Sequence, residues 1–188
     1  MMQHVRMLLL AALAACLLAA CAKAAPQRER CCPCKSAQQL DQRLMATLAT
    51  ARAHHHQADI HLRQKEVDRA MAAVKKILAL DLDARYPEAE EVRLDAAARL
   101  AKLMLGKEQA ADALALVDAQ IKVARRESFY LSNLHSVRGE ILEHQAKALD
   151  AGGDKDGARK VSRQALAAFE RSIAINKKLQ QRLLKKEK

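Results

Sequence analysis

The apolar positions of this chain fall into helical rows separated by short polar breaks. Leu40, Leu44, Leu48 and Ala51 recur at steps of four, four and three residues, which stacks them on one face of a helix. Ser36-Ala37-Gln38-Gln39 ahead of them is a capping-box pattern, with Ser36 as N-cap and Gln39 reaching back. This first helix is expected to run to about Gln64. The polar break Lys65-Glu66 then precedes a second helix to about Leu80. Pro87 opens a third over 87–105, because the first helical turn tolerates a residue without an N–H. Further helices are expected over 108–127, 129–151 and 155–186, the last two separated by Gly152-Gly153 with Asp154 as a cap. Six helices joined by short turns predict an all-α domain of three antiparallel hairpins.

Composition agrees with helix. Hydrophobic residues make up 51% of the chain, mostly Ala and Leu, while aromatics are 2% and Trp is absent. Strands favour Val, Ile and aromatics, and these are scarce. The formal charge is +11. Nucleic acid is an obvious suspicion for such a basic chain, but there are few aromatics to stack on bases. Much of the excess lies in Lys177-Lys178 and Arg182 to Lys188. It reads as a solvated helix face, or as a contact to anionic lipid or cell wall through residues 177–188.

The first twenty residues have a different pattern. His4 and Arg6 precede an apolar run from Met7 to Ala20, the length of a secretory signal core and short for a membrane span. The run ends in Leu18-Ala19-Ala20-Cys21, which resembles the lipobox of bacterial lipoproteins. That resemblance implies cleavage before Cys21, acylation of Cys21, and anchoring in a bacterial envelope. Leu13-Ala14-Ala15-Cys16 matches the same pattern, but cutting there leaves a shorter apolar core, so Cys21 is preferred. Ala22 rather than Asp follows, and in this family that implies the outer membrane, facing the periplasm. Residues 21–35 read as a flexible tether and 36–188 as the helical domain. Both the export signal and the scarcity of aromatics argue against nucleic acid as a partner, and none is expected.

Cys31, Cys32 and Cys34 lie in that tether. Outside the cytosol a Cys31–Cys34 disulfide is the first reading, with one thiol left over. A thiolate metal site and redox chemistry remain open. The metal reading would recruit His54 and His61, which share a helix face seven residues apart. The consecutive His54, His55 and His56 point about 100° apart and cannot converge on one ion.

The helices also repeat. Ala58, Ala101 and Gly139 are small residues at matching places in the first helices of the hairpins. Ala70, Ala113 and Ala165 match in the second helices, each followed four residues later by Val74, Val117 and Phe169. This resembles the tetratricopeptide repeat family, over roughly residues 40–178. The family implies a short α-solenoid in which each pair stacks on the next. The steps Ala70 to Ala113 to Ala165, 43 and 52 residues, exceed the family period of about 34. The Trp position is empty, and the closing Pro is replaced by Leu82, Arg125 and Lys177.

The resemblance implies protein binding on a concave face lined by the first helices. Carried over singly, that face holds Arg52, His55, Asp59 and Leu62, then Asp95, Ala98, Lys102 and Leu105, then Asn133, Ser136, Glu140 and Glu143. Phe129 and Tyr130 beside Asn133 are either recognition anchors or plugs between pairs. Phe129 reads more as a plug. No Gly-rich phosphate loop or Gly-x-Ser-x-Gly elbow occurs, and the carboxylates alternate with Lys and Arg. Glu88, Glu90 and Glu91 read as first-turn charges after Pro87. The expectation is a lipid-anchored envelope scaffold without cofactor or enzymatic activity, binding other envelope proteins. A Cys/His metal-binding lipoprotein and a membrane-to-wall structural protein are the alternatives.

Overall fold

A computed structural model describes residues 34–83 and 85–186, with side chains described from Gln42 to Lys185. The signal segment, Cys21, Cys31 and Cys32 lie outside the described residues. Six helices and no strand occur among the described residues: α1 (Cys34–Arg63), α2 (Val67–Leu78), α3 (Pro87–Leu105), α4 (Ala110–Val123), α5 (Phe129–Ala151) and α6 (Lys155–Lys186). The bounds of α3, α5 and α6 are those the residue pattern predicts. α1 instead opens at Cys34, so Ser36 lies inside the helix and is not its N-cap. Proline favours helix starts, and Pro33 directly precedes this one in the sequence.

Three turns of one kind close α1, α3 and α5. Lys65 (φ 62°), Glu108 (φ 60°) and Gly153 (φ 87°) each sit in the left-handed region. After each, an N–H reaches back five residues: Glu66 to the His61 carbonyl at 2.8 Å, Gln109 to Met104 at 2.9 Å and Asp154 to Leu149 at 2.9 Å. These are Schellman closures, which satisfy the last carbonyls of a helix. The closure at Glu108 is why α4 starts at Ala110 and not at 108. In the third turn Asp154 also caps α6, accepting the Gly157 N–H at 2.9 Å.

The linker between α4 and α5 is built differently. α4 ends at Val123, short of the expected 127, because a buried carboxylate captures the next backbone amides. Glu90, 6% exposed, accepts the N–H groups of Arg125 (2.9 Å) and Arg126 (3.2 Å) and the Arg126 guanidinium (3.3 Å). Glu90 is therefore an anchor for the linker and not a solvated first-turn charge. Ser128 then caps α5 by accepting the Leu131 N–H at 3.2 Å.

Two hydrophobic clusters fill the interior. Ala51, Ala58, Ala70, Val74, Ile77 and Leu100 join α1, α2 and α3. Leu94, Ala101, Val117, Leu134, Ile141 and Ile175 join α3 to α6. α5 packs on α3 and α4 as well as on α6. All six repeated small positions are buried: Ala58, Ala101, Gly139, Ala70, Ala113 and Ala165. Gly139 shows why smallness matters, since a Cβ there would lie 2.7 Å from the Phe169 ring.

Two stability changes follow. Glu108→Gly relieves a side chain held at positive φ and is expected to raise unfolding free energy by about 0.5–1 kcal/mol. Gly139→Val is expected to cost about 2 kcal/mol by overpacking. Phe169→Ala should then cost less in the Gly139→Val background than in wild type, because the two side chains compete for one space. Additive losses in a urea-melt cycle would show that Gly139 and Phe169 do not share that space.

Candidate functional site

α1 and α3 lie side by side, and their facing polar residues build a groove of about 330 Å³. α1 supplies Arg52 and His55 over Leu48 and Ala51, α3 supplies Glu88, Glu91 and Asp95, and Tyr130 of α5 closes one side. Four residues expected on a binding face, Arg52, His55, Asp95 and Tyr130, thus come together. Asp59 joins them through a residue that sequence reasoning missed, Arg99. Its Nη2 donates to the Asp59 carboxylate, and its Nη1 faces His55 Nδ1 at 3.2 Å and the His55 carbonyl at 3.5 Å. A signal for it existed: Arg99 is a cation between Ala96-Ala97-Ala98 and Leu100, and a cation on an apolar face needs a partner.

The network fixes the imidazole. Arginine can only donate, so His55 Nδ1 accepts and the ring proton sits on Nε2. Nε2 faces the Asp95 carboxylate at 3.6 Å. Burial pushes the His55 pKa below its ordinary value; Asp95 pulls it up and Arg99 lowers it further. The hydrogen bond from Arg99 holds Asp59 below the usual carboxylate range. The groove therefore presents a neutral His55 at pH 7, with Arg52 opposite three carboxylates. Glu88 and Glu91 make no ion pair among the described residues.

Other expected positions are used differently. Leu62 and Leu105 are half-buried and pack against the two cores, and Ala98 is buried within one, so none faces an open groove. Ser136 turns toward α6, its hydroxyl 2.8 Å from that of Ser172. Ser132 completes this internal trio by donating to the Ser172 carbonyl at 3.0 Å. Lys102 of α3 pairs with Glu140 of α5 at 3.3 Å, and Glu143 pairs with Lys147 on its own helix at 2.7 Å. Asn133 is half-buried. Phe129 is no plug: it is 65% exposed and meets the Tyr130 ring edge-on, centroids 5.8 Å apart.

The two histidines among the metal candidates are engaged elsewhere. His54 Nδ1 lies 2.9 Å from Gln57 Oε1, and His61 Nδ1 lies 2.7 Å from Glu66 Oε2. No group of three or more metal-ligating side chains occurs among the described residues. Cys34 opens α1, but its side chain, like Cys31 and Cys32, is outside the described residues.

The basic C-terminal segment is only partly free. Lys178 (2.9 Å), Arg182 (3.2 Å) and Arg171 (3.3 Å) all donate to Glu127 in the linker before α5. Lys178 holds the Glu127 carboxyl below the usual range, with Arg171 and Arg182 adding to it. Two of the cations expected to be available in 177–188 are thus spent inside the molecule. No described helix is long and apolar enough to cross a membrane.

No protein-family model, curated protein or solved structure matches the chain.

The histidines give a pH prediction. His55 and His135 are both held below their ordinary pKa, each mainly by burial. As pH falls through about 6.5, the unfolded chain takes up protons that the folded chain refuses, so stability falls. It is expected to be full above that pH and to drop toward the lower folded values. Arg99→Gln removes a nearby cation, so the His55 resonance should titrate at higher pH in NMR. An unmoved His55 titration would contradict the assigned network.

Proposed function

We propose that this protein is a lipid-anchored scaffold of the bacterial envelope that holds a partner protein in the groove between α1 and α3. The observation that carries the reading is the convergence of Arg52, His55, Asp95 and Tyr130 from three helices onto one groove. Its floor is apolar and its walls carry both signs of charge, which suits a peptide segment more than a bare anion or cation. Tyr130 offers a broad face with a polar tip, and exposed Phe129 extends it.

The buried small positions and the packing of α5 on both α3 and α4 support a second part of the reading. The three helix pairs stack as a short tetratricopeptide-like solenoid, each pair covering a face that the previous one cannot bury alone. At the other end of the chain, acylation of Cys21 fixes the protein to the outer membrane on its periplasmic side. Each buried CH₂ of an acyl chain adds about 0.8 kcal/mol, so several chains hold the domain firmly. Residues 22–33 then set its reach from the bilayer.

Lys102 and Glu140 neutralise each other across α3 and α5, so the groove is probed elsewhere. Arg52→Glu with Tyr130→Ala is expected to abolish recovery of a co-purifying envelope protein while leaving helicity unchanged, since Arg52 is exposed and Tyr130 only edges the core. Unchanged recovery would remove the groove from the account. Intact mass of the membrane-extracted protein should show a chain starting at Cys21 with acyl mass. A start elsewhere without it would overturn the anchor.

A further inference from the structure

The last helix pair exposes, on its outer side, the surface that the first two pairs use to receive their successor. In the register that aligns Ala70, Ala113 and Ala165, Leu166 and Ile173 of α6 take the places of Met71 and Leu78 in α2, and of Leu114 and Ile121 in α4. Met71 is 7% exposed, and Leu78, Leu114 and Ile121 are packed into clusters that include the following pair's first helix. Leu166 and Ile173 are instead 61% and 53% exposed. They face away from the preceding pairs, because the opposite side of α6 carries the cations bound to Glu127.

The same face has a charge. Arg159, Leu166 and Ile173 step by seven residues and so share one side of α6. Toward the α5–α6 turn, Lys155, Arg159 and Arg163 edge a groove of about 750 Å³ with Lys147, over a floor of Ala146 and Ala158. Lys155 and Arg163 make no ion pair among the described residues, and Arg159 reaches Asp156 only at 3.9 Å. An apolar stripe thus runs into a basic groove.

We infer that this face docks an amphipathic helix of a partner protein, with its apolar stripe on Leu166 and Ile173 and acidic residues against Lys155, Arg159 and Arg163. A helix fits because the equivalent surfaces of the first two pairs receive α3 and α5. An acidic flank fits because the groove's cations outnumber its carboxylates. A second copy fits poorly. In the register that aligns Ala58 with Ala101, Ala53 and Ile60 of α1 take the places of Ala96 and Leu103, but Arg52 takes that of Asp95, which sets a cation where the internal joint has a carboxylate and faces it toward the cations of α6. The site is separate from the α1–α3 groove and does not depend on it.

The test uses the full-length protein and two labelled helical peptides with the same leucine stripe, one flanked by glutamates and one by lysines. Fluorescence anisotropy should show the glutamate peptide binding at least about tenfold tighter. Leu166→Glu with Ile173→Glu should lose about tenfold or more in that affinity, while Arg52→Glu with Tyr130→Ala leaves it unchanged. Both replaced apolar residues are mostly exposed, so the double variant should keep its circular dichroism. Equal binding of the two peptides, or binding indifferent to the Leu166 and Ile173 changes, would overturn the proposal. So would a concentration-dependent dimer abolished by those changes, which would assign the face to a second copy. Binding to phosphatidylglycerol vesicles lost with the same changes, without peptide binding, would assign it to lipid.

Discussion

The packing of the described helices depends on α3 being thin enough to sit between two cores. Ala96 contacts the cluster shared with α1 and α2, whereas Ala97, Ala98 and Ala101 belong to the cluster shared with α4, α5 and α6. Interaxial distance between packed helices follows the size of the side chains at the contact. Alanine on both faces lets α3 approach its neighbours closely on either side. Arg99 breaks this run, and its charge is satisfied by the helix next door. The groove is a product of that constraint: two helices brought close by alanines have polar flanks that meet, and His55, Asp59, Asp95 and Arg99 form one network.

A core this rich in alanine buries little apolar area per residue, so fixed polar anchors take on added importance. Two carboxylates act at the joint between α4 and α5. Glu90 is buried and holds the backbone of Arg125 and Arg126, and a buried acceptor left without donors costs about 1–3 kcal/mol. Glu127 gathers three cations from α6 and ties the far half of that helix to the same linker. Pairs such as Arg43–Asp81, exposed on both sides, contribute far less. The joint that positions Tyr130 is therefore held by two carboxylates, which tie one wall of the groove to α3 and α6.

Helices are the most legible feature of the sequence, because Pro87, Asp154 and the four-and-three spacing of Leu40, Leu44, Leu48 and Ala51 act locally. The small positions were legible too, and each is buried. The third turn is read from its glycines and the first from the polar pair Lys65-Glu66, while the left-handed conformation at Lys65 and Glu108 has no local sign. The site was only half visible. Positions transferred from a regular repeat include Arg52, His55 and Asp95, which share a groove with Tyr130, a residue read apart from that transfer as an anchor or a plug. The same transfer put Leu62, Ala98, Leu105 and Ser136 on an open face where packing turns them inward. Glu90 looked like an ordinary first-turn charge, because its partners lie 35 and 36 residues away and no local pattern announces them.

The central claim is that the α1–α3 groove holds a partner protein in the envelope. Its most direct test is photo-crosslinking in intact cells, with a photo-reactive amino acid in place of Arg52, of Tyr130 or of the exposed Lys76 on α2. A discrete heavier species at positions 52 and 130, and none at 76, is the expected result. No adduct at either groove position, or equal adducts at all three, would contradict it.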